Sequence, residues 1–231
     1  MASLSIIMPV LDEETGIVAA LDRLTAYRQR GVEIIVVDGG SRDGTADLAR
    51  PLADVVATSP RGRAAQMNAG ATQSRGDVLL FLHADSQLPR EADRLMLEGL
   101  ARSGRVWGRF DLRIEGRSPL LRVVAMMMNW RSRLTGIATG DQAIFVTRPA
   151  FAEADGYPDI ALMEDIALTR ALKRVGRPLC LRARVTTSGR RWERQGVLRT
   201  ILLMWRLRLA YFLGAEPSLL ARRYGYVPRE G

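Results

Sequence analysis

Four short apolar runs, Leu4–Met8, Glu33–Val37, Val55–Thr58 and Val78–Leu82, punctuate residues 1–88, and segments of helical spacing separate them. Ile17, Val18, Leu21 and Leu24 share one helical face that ends at Gly31. Ala46–Ala53 reads as a short helix cut by Pro51, and Arg63–Ser74 as a helix of small residues. Strands that are apolar along their whole length are buried on both faces, and alternation with helices calls for parallel pairing through right-handed crossovers. The pattern predicts an α/β fold with a mostly parallel central sheet flanked by helices. Ligands of such sheets bind beyond the carboxyl ends of the strands. The polar clusters fall there: "PVLDEE", "DGGSRDGT", "RGRAAQMNAG" and "HADS" follow the four runs in order.

Beyond Pro89 the pattern loosens. A helix near Glu91–Ala101, an extended stretch Arg105–Ile114, an apolar segment Leu120–Trp130, a strand Gln142–Thr147 and a helix Glu164–Val175 are expected. Val197–Leu213 is apolar on most of its circumference, but Arg199, Arg206 and Arg208 interrupt it, so it is not a spanning helix. Its apolar face and that of "PLLRVVAMMMNW" have three destinations: the core, a homodimer interface, or a bilayer surface. At 231 residues, 47% of them hydrophobic, one domain suffices.

The net charge of +9 is uneven: residues 170–231 hold 15 Lys and Arg against 3 Asp and Glu, leaving 19 against 22 for residues 1–169. A basic tail of this kind meets anionic lipid, phosphorylated substrates or nucleic acid. The single cysteine, Cys180, excludes an internal disulfide framework, and the N-terminal run lacks a basic leader. A cytoplasmic protein is expected, with the inner face of the membrane as its second setting.

Each cluster has a chemical use and a plainer structural one. Asp38 at a strand end can accept hydrogen bonds from a base or sugar, or can cap its own turn with Asp43. Arg63 opens a helix whose N-terminal amides suit a diphosphate. Asp85 can ligate a hard divalent cation. His83, the lone histidine, can ligate a softer ion, hydrogen-bond sugar or phosphate, or be a polar strand-end residue. Glu164 and Asp165 stand where carboxylates also favour a helix N-terminus. Arg190, Arg191 and Trp192 can clamp a diphosphate and stack on a sugar, or form an exposed basic turn.

In order, "PVLDEE", "VVDGGSRDGT", "RGRAAQMNAG", "HAD" and "GYPDIALMEDIALTRALKRVG" resemble the motifs of the family 2 glycosyltransferases over residues 4–192. The resemblance implies a GT-A fold: a nucleotide-binding half (1–88), an acceptor half (89–192) and a helical tail (193–231). It implies an inverting, metal-assisted transfer from a nucleoside-diphosphate sugar to an acceptor hydroxyl, with Mn²⁺ or Mg²⁺ as cofactor. Donor binding falls to Pro9, Glu13, Asp38, Arg63 and Asp85, and the metal to Asp85 and His83. Asp165 becomes the catalytic base, with Glu164, Arg190, Arg191 and Trp192 at the acceptor, which the sequence does not identify and which includes lipid-linked molecules in its range. Three positions depart from the pattern: Asp12 replaces an asparagine, Gly39 the second aspartate of a pair, and His83 the first aspartate of D-x-D. Two rival readings are a nucleotidyltransferase, whose glycine-rich lysine signature is missing, and a basic-tail protein that binds nucleic acid or a membrane surface. Nucleic acid is not the expected partner.

Overall fold

A computed structural model describes residues 2–226. Its elements run β1 (Leu4–Val10), α1 (Ile17–Asp22), α2 (Thr25–Gln29), β2 (Glu33–Asp38), α3 (Thr45–Ala49), β3 (Val55–Thr58), α4 (Arg63–Gln73), β4 (Val78–Phe81) and β5 (Ser86–Gln87). Then follow α5 (Ala92–Ser103), β6 (Trp107–Glu115), α6 (Leu120–Thr135), a 3₁₀ turn (Gly140–Gln142), β7 (Phe145–Thr147), α7 (Arg148–Glu153) and α8 (Glu164–Val175). The last are β8 (Leu179–Ser188), α9 (Arg190–Gln195), α10 (Val197–Phe212) and α11 (Pro217–Tyr224).

The eight strands form one sheet in the order β3-β2-β1-β4-β7-β6-β8-β5. β3, β2, β1 and β4 are parallel, as the alternation predicts. The second half makes the sheet mixed: β7 runs antiparallel to both β4 and β6, β8 is parallel to β6, and β5 is antiparallel to β8. The side-chain period of two sends Ile6, Ile34 and Leu80 into one core cluster and Ile7, Ile35 and Leu79 into the other, so both faces are covered and the runs are apolar throughout. The first cluster takes residues of α1, α2, α3, α5 and α6, and the second those of α4, α7 and α8. Gly70 lets α4 lie close on the sheet, since a Cβ there would run into Ile7 Cγ2 and stand 3.0 Å from Val37 Cγ2.

The helix expected from Ile17 to Gly31 is broken into α1 and α2, and the strand expected from Gln142 begins only at Phe145, after the 3₁₀ turn. β8 is absent from the sequence reading, although Leu179, Leu181, Ala183, Val185 and Thr187 alternate with more polar neighbours. α10, α11 and the start of α8 share a third cluster around Leu162, Ile166, Leu207 and Leu220. No helix among the described residues is long and apolar enough to cross a membrane.

Candidate functional site

The register of β1 and β2 sets Val10 beside Asp38, so the loops after these strands leave the sheet together. They are knitted by side chain to backbone: Asp12 N donates to Ser41 Oγ (2.9 Å), Arg42 N to Asp12 Oδ1 (2.8 Å) and Glu13 N to Thr45 Oγ1 (2.8 Å). Asp12 takes a positive φ of 52°, a conformation that aspartate and asparagine tolerate and most residues do not, which accounts for Asp12 in an asparagine's place. Gln66 on α4 is buried and donates to Val10 O (2.8 Å) and Val37 O (2.9 Å), tying both strand ends to the helix that Arg63 opens. Asn68, two residues further on, exchanges hydrogen bonds with the Tyr157 backbone (2.7 and 2.9 Å) and so fixes the loop leading to α8.

These ends border a cavity of about 740 Å³. Pro9, Glu13, Arg63, His83 and Asp85 line it from the carboxyl edge of the sheet, with Asp141, Glu164 and Asp165 beside them. Arg191 and Trp192 join from α9, and the opposite wall consists of α6 and α10. Two residues singled out from sequence do not line it. Asp38 is buried, and its carboxylate accepts hydrogen bonds from Ser41 N (3.1 Å) and Ser41 Oγ, the capping role weighed from the sequence. Arg190 is exposed. Arg191 stacks on the Tyr224 ring at 3.6 Å and donates to Tyr224 O (2.8 Å), which turns it toward the C-terminal helices.

The acid pair is poised by burial. α8 is entered through Met163 at φ 72°, a left-handed conformation unusual for such a residue and found where tertiary structure over-determines the backbone. Asp165 Oδ2 accepts from Gly140 N (2.8 Å) and Oδ1 from its neighbour Ile166 N (2.7 Å). Burial nevertheless raises the Asp165 carboxyl above its ordinary range, helped by the charge of Asp141. Glu164 is pushed up to about 7, first by burial and then by Asp165, against the pull of Arg63, whose Nη1 is 3.9 Å from Glu164 Oε1. Burial and then the charges of Asp85 and Asp43 lift Glu13.

His83 Nδ1 lies 3.5 Å from Asp141 Oδ1. Burial works most strongly against the imidazolium, but the Asp141 hydrogen bond and the charges of Asp141 and Asp85 together outweigh it, and the imidazole is pushed above its usual value. The ring rests on Gly140, where a Cβ would stand 2.6 Å from Cε1. Asp141, Gly140 and Gln66 escaped the sequence reading. Asp141 reaches His83 through the antiparallel β4–β7 pair, and no local spacing announces that contact.

Among the described residues no group of three or more His, Cys, Asp and Glu gathers at metal-ligand spacing. Of the carboxylates lining the cavity, Asp85 alone is exposed and makes no ion pair among the described residues; its hydrogen bonds are long, from Ser86 Oγ (3.3 Å) and Thr187 Oγ1 (3.5 Å). That donor set fits a hard cation shared with a diphosphate, not a closed protein-only site.

The architecture is the GT-A fold. It is shared with a mannosyltransferase from Pyrobaculum calidifontis solved with GDP-Man and Mn²⁺ (TM-score 0.67, 21% identity, 98% of this chain and 66% of that one). Glucosyl-3-phosphoglycerate synthase from Mycobacterium tuberculosis, solved with Mn²⁺, UDP and glucosyl-3-phosphoglycerate, also shares it (TM-score 0.63, 20% identity, 100% and 82%). The chain belongs to glycosyl transferase family 2, whose model matches residues 5–152. It is 33% identical over 145 residues to an undecaprenyl-phosphate 4-deoxy-4-formamido-L-arabinose transferase of Pseudomonas aeruginosa, covering 58% of this chain and 40% of that protein. To the probable glycosyltransferase YdaM of Bacillus subtilis it is 26% identical over 240 residues, covering 94% and 56%. The chain thus spans from two-fifths to a little over half of these relatives' length. Neither rival reading, nucleotidyltransferase or nucleic-acid binder, is favoured by these matches.

Proposed function

We propose that the chain transfers a sugar from a nucleoside-diphosphate donor to an acceptor hydroxyl with inversion at the anomeric carbon. One observation carries the reading: a buried acid pair with raised carboxyls opens into the same cavity as Asp85 and Arg63 at the sheet's carboxyl edge. Asp165 takes the acceptor's proton as its oxygen bonds the anomeric carbon and the bond to the diphosphate breaks; a raised carboxyl suits a base that must hold the proton near neutral pH. Glu164, beside it and near Arg63, orients the acceptor and is neutral for part of the physiological range.

Pro9, Glu13 and Arg63 receive the donor, while Asp38 serves it indirectly by shaping the turn through Ser41. Asp85 is the residue that would hold Mn²⁺ or Mg²⁺, whose chemistry is to neutralise the charge growing on the leaving diphosphate. His83, seated on Gly140 and directed at Asp141, acts as a polar partner rather than a ligand. Arg191 and Trp192 lie where they can contact the acceptor, and Arg190 stands outside.

The name of the Pseudomonas relative, an undecaprenyl-phosphate transferase, supports a lipid-linked acceptor. So do the exposed apolar side chains of α6 and α10, among them Trp130 (68% exposed) and Trp205 (59%), which fit contact with the inner face of a membrane. The test starts with thermal shifts against UDP, GDP and their sugars, with and without Mn²⁺ or Mg²⁺. Asp165→Asn should then lose transfer, or slow donor hydrolysis, by about 10²- to 10⁴-fold with donor affinity kept. Near-normal turnover in that variant would return Asp165 to a purely structural place at the start of α8.

A further inference from the structure

Arg131 on α6 lines the cavity, and its guanidinium is the unsatisfied one in that wall. Its Nε and Nη2 are buried and make no hydrogen bond among the described residues. The neighbouring arginines are provided for. Arg109 donates to Ser132 Oγ (3.1 Å) and Asn129 O (3.1 Å) and pairs with Asp111, whose other oxygen takes Arg133 at 2.7 Å. Asp111 is therefore engaged by two other arginines. Burial drives the Arg131 guanidinium below its ordinary pKa, and Arg109 adds to this; Asp165 alone pulls the other way.

A buried polar group without a partner costs free energy, and a buried unpaired charge costs more, so an orphan of this kind calls for a ligand that completes it. The two orphan atoms are adjacent on one edge of the guanidinium, with their N–H bonds parallel. That edge takes two oxygens of one phosphate or carboxylate. Much of the lining on this side is apolar: Met127, Trp130 and Leu134 on α6 and Met204 and Trp205 on α10 line the same cavity. An anion partner here, set between apolar walls that open to solvent, has the chemistry of an amphiphile's headgroup.

We propose that Arg131 binds the phosphate or carboxylate headgroup of an amphiphilic acceptor whose apolar tail lies between α6 and α10. Calling this ligand the acceptor rests on the glycosyltransferase reading; the anion site itself stands on the orphaned edge and the apolar walls.

The test uses the full chain and follows tryptophan fluorescence, since Trp130 and Trp205 line the cavity. The probes are decyl phosphate, decanoate, decanol and inorganic phosphate. Wild type should bind decyl phosphate or decanoate at least about tenfold more tightly than decanol, and Arg131→Met should bind them no more tightly than decanol. The stronger of the two anionic probes identifies the headgroup. Metal-free Arg131→Met should also melt no lower than wild type, because it removes a guanidinium edge that is buried and unpaired among the described residues. Wild type that does not distinguish decyl phosphate and decanoate from decanol overturns the proposal. So does Arg131→Met that keeps the preference, or that melts well below wild type and so marks the guanidinium as a strut.

Inorganic phosphate binding as tightly as decyl phosphate would make the site a plain anion site and also overturns it. UDP and GDP binding, read separately by calorimetry, distinguishes the two levels. If neither binds wild type, the glycosyltransferase reading fails while the headgroup preference stands. If Arg131→Met weakens UDP as much as decyl phosphate, the anion is the donor's diphosphate and this proposal alone fails.

Discussion

Glu164→Gln separates burial from ion pairing in the acid pair. The Glu164 side chain is 8% exposed, and its ion pair among the described residues is with Arg63 at 3.9 Å, whose side chain is 45% exposed and therefore screened by water. Burial, then Asp165, move its carboxyl from 4.5 to about 7, against the opposing charges of Arg63 and His83. Between those values the folded protein binds the proton more tightly than the unfolded chain, so stability falls as pH rises through the window. At about 1.36 kcal/mol per unit the full effect is about 3 kcal/mol, and its sharing with Asp165 brings the expected size to about 1–3 kcal/mol. Glutamine keeps the shape and removes the ionisation. The variant should match wild type near pH 4, where Glu164 is largely protonated in both the folded and unfolded chain, and exceed it by about 1–3 kcal/mol near pH 8. Urea-unfolding midpoints at pH 4, 6.5 and 8 give the comparison. A variant less stable than wild type at pH 8 would refute the reasoning, because the Arg63 contact would then outweigh burial.

Metal dependence should reside in Asp85: Asp85→Ala abolishes Mn²⁺- or Mg²⁺-stimulated donor binding in calorimetry, whereas His83→Gln keeps it, and the reverse pattern makes the histidine the ligand. Gly70→Ala should lower stability by about 1–3 kcal/mol through overpacking of α4 on Ile7 and Val37, read as a lower melting temperature; an unchanged value would mean that the helix shifts freely on the sheet.

Much of residues 1–88 was legible because the elements there are local. β3 spans the predicted residues, β1, β2 and β4 contain or nearly contain theirs, and α4 starts at Arg63 as expected. A run buried on both faces is apolar at every position, and that signal survives without knowledge of its partners. β8 lacks it: Arg182 and Arg184 are exposed on one side while Val185 and Thr187 are buried on the other, and the strand's length is set by pairing with β6 over eight positions. The break between α1 and α2 and the late start of β7 likewise follow from packing, which overrides a periodicity read over a few residues.

The sequence by itself determined that four strands end in polar clusters on one edge, and that an acid pair begins a helix further along the chain. Spacing and side-chain type suffice for that, since strand and helix periods are properties of the local backbone. Tertiary structure alone decided what those groups do there. It spent Asp38 on Ser41, set Asp141 against His83 through β4 and β7, and left the Arg131 Nε and Nη2 without a partner among the described residues while Asp111 serves Arg109 and Arg133. Charge state and partnership depend on water removed and on neighbours brought from dozens of residues away, and neither quantity is a function of the order of residues within a motif.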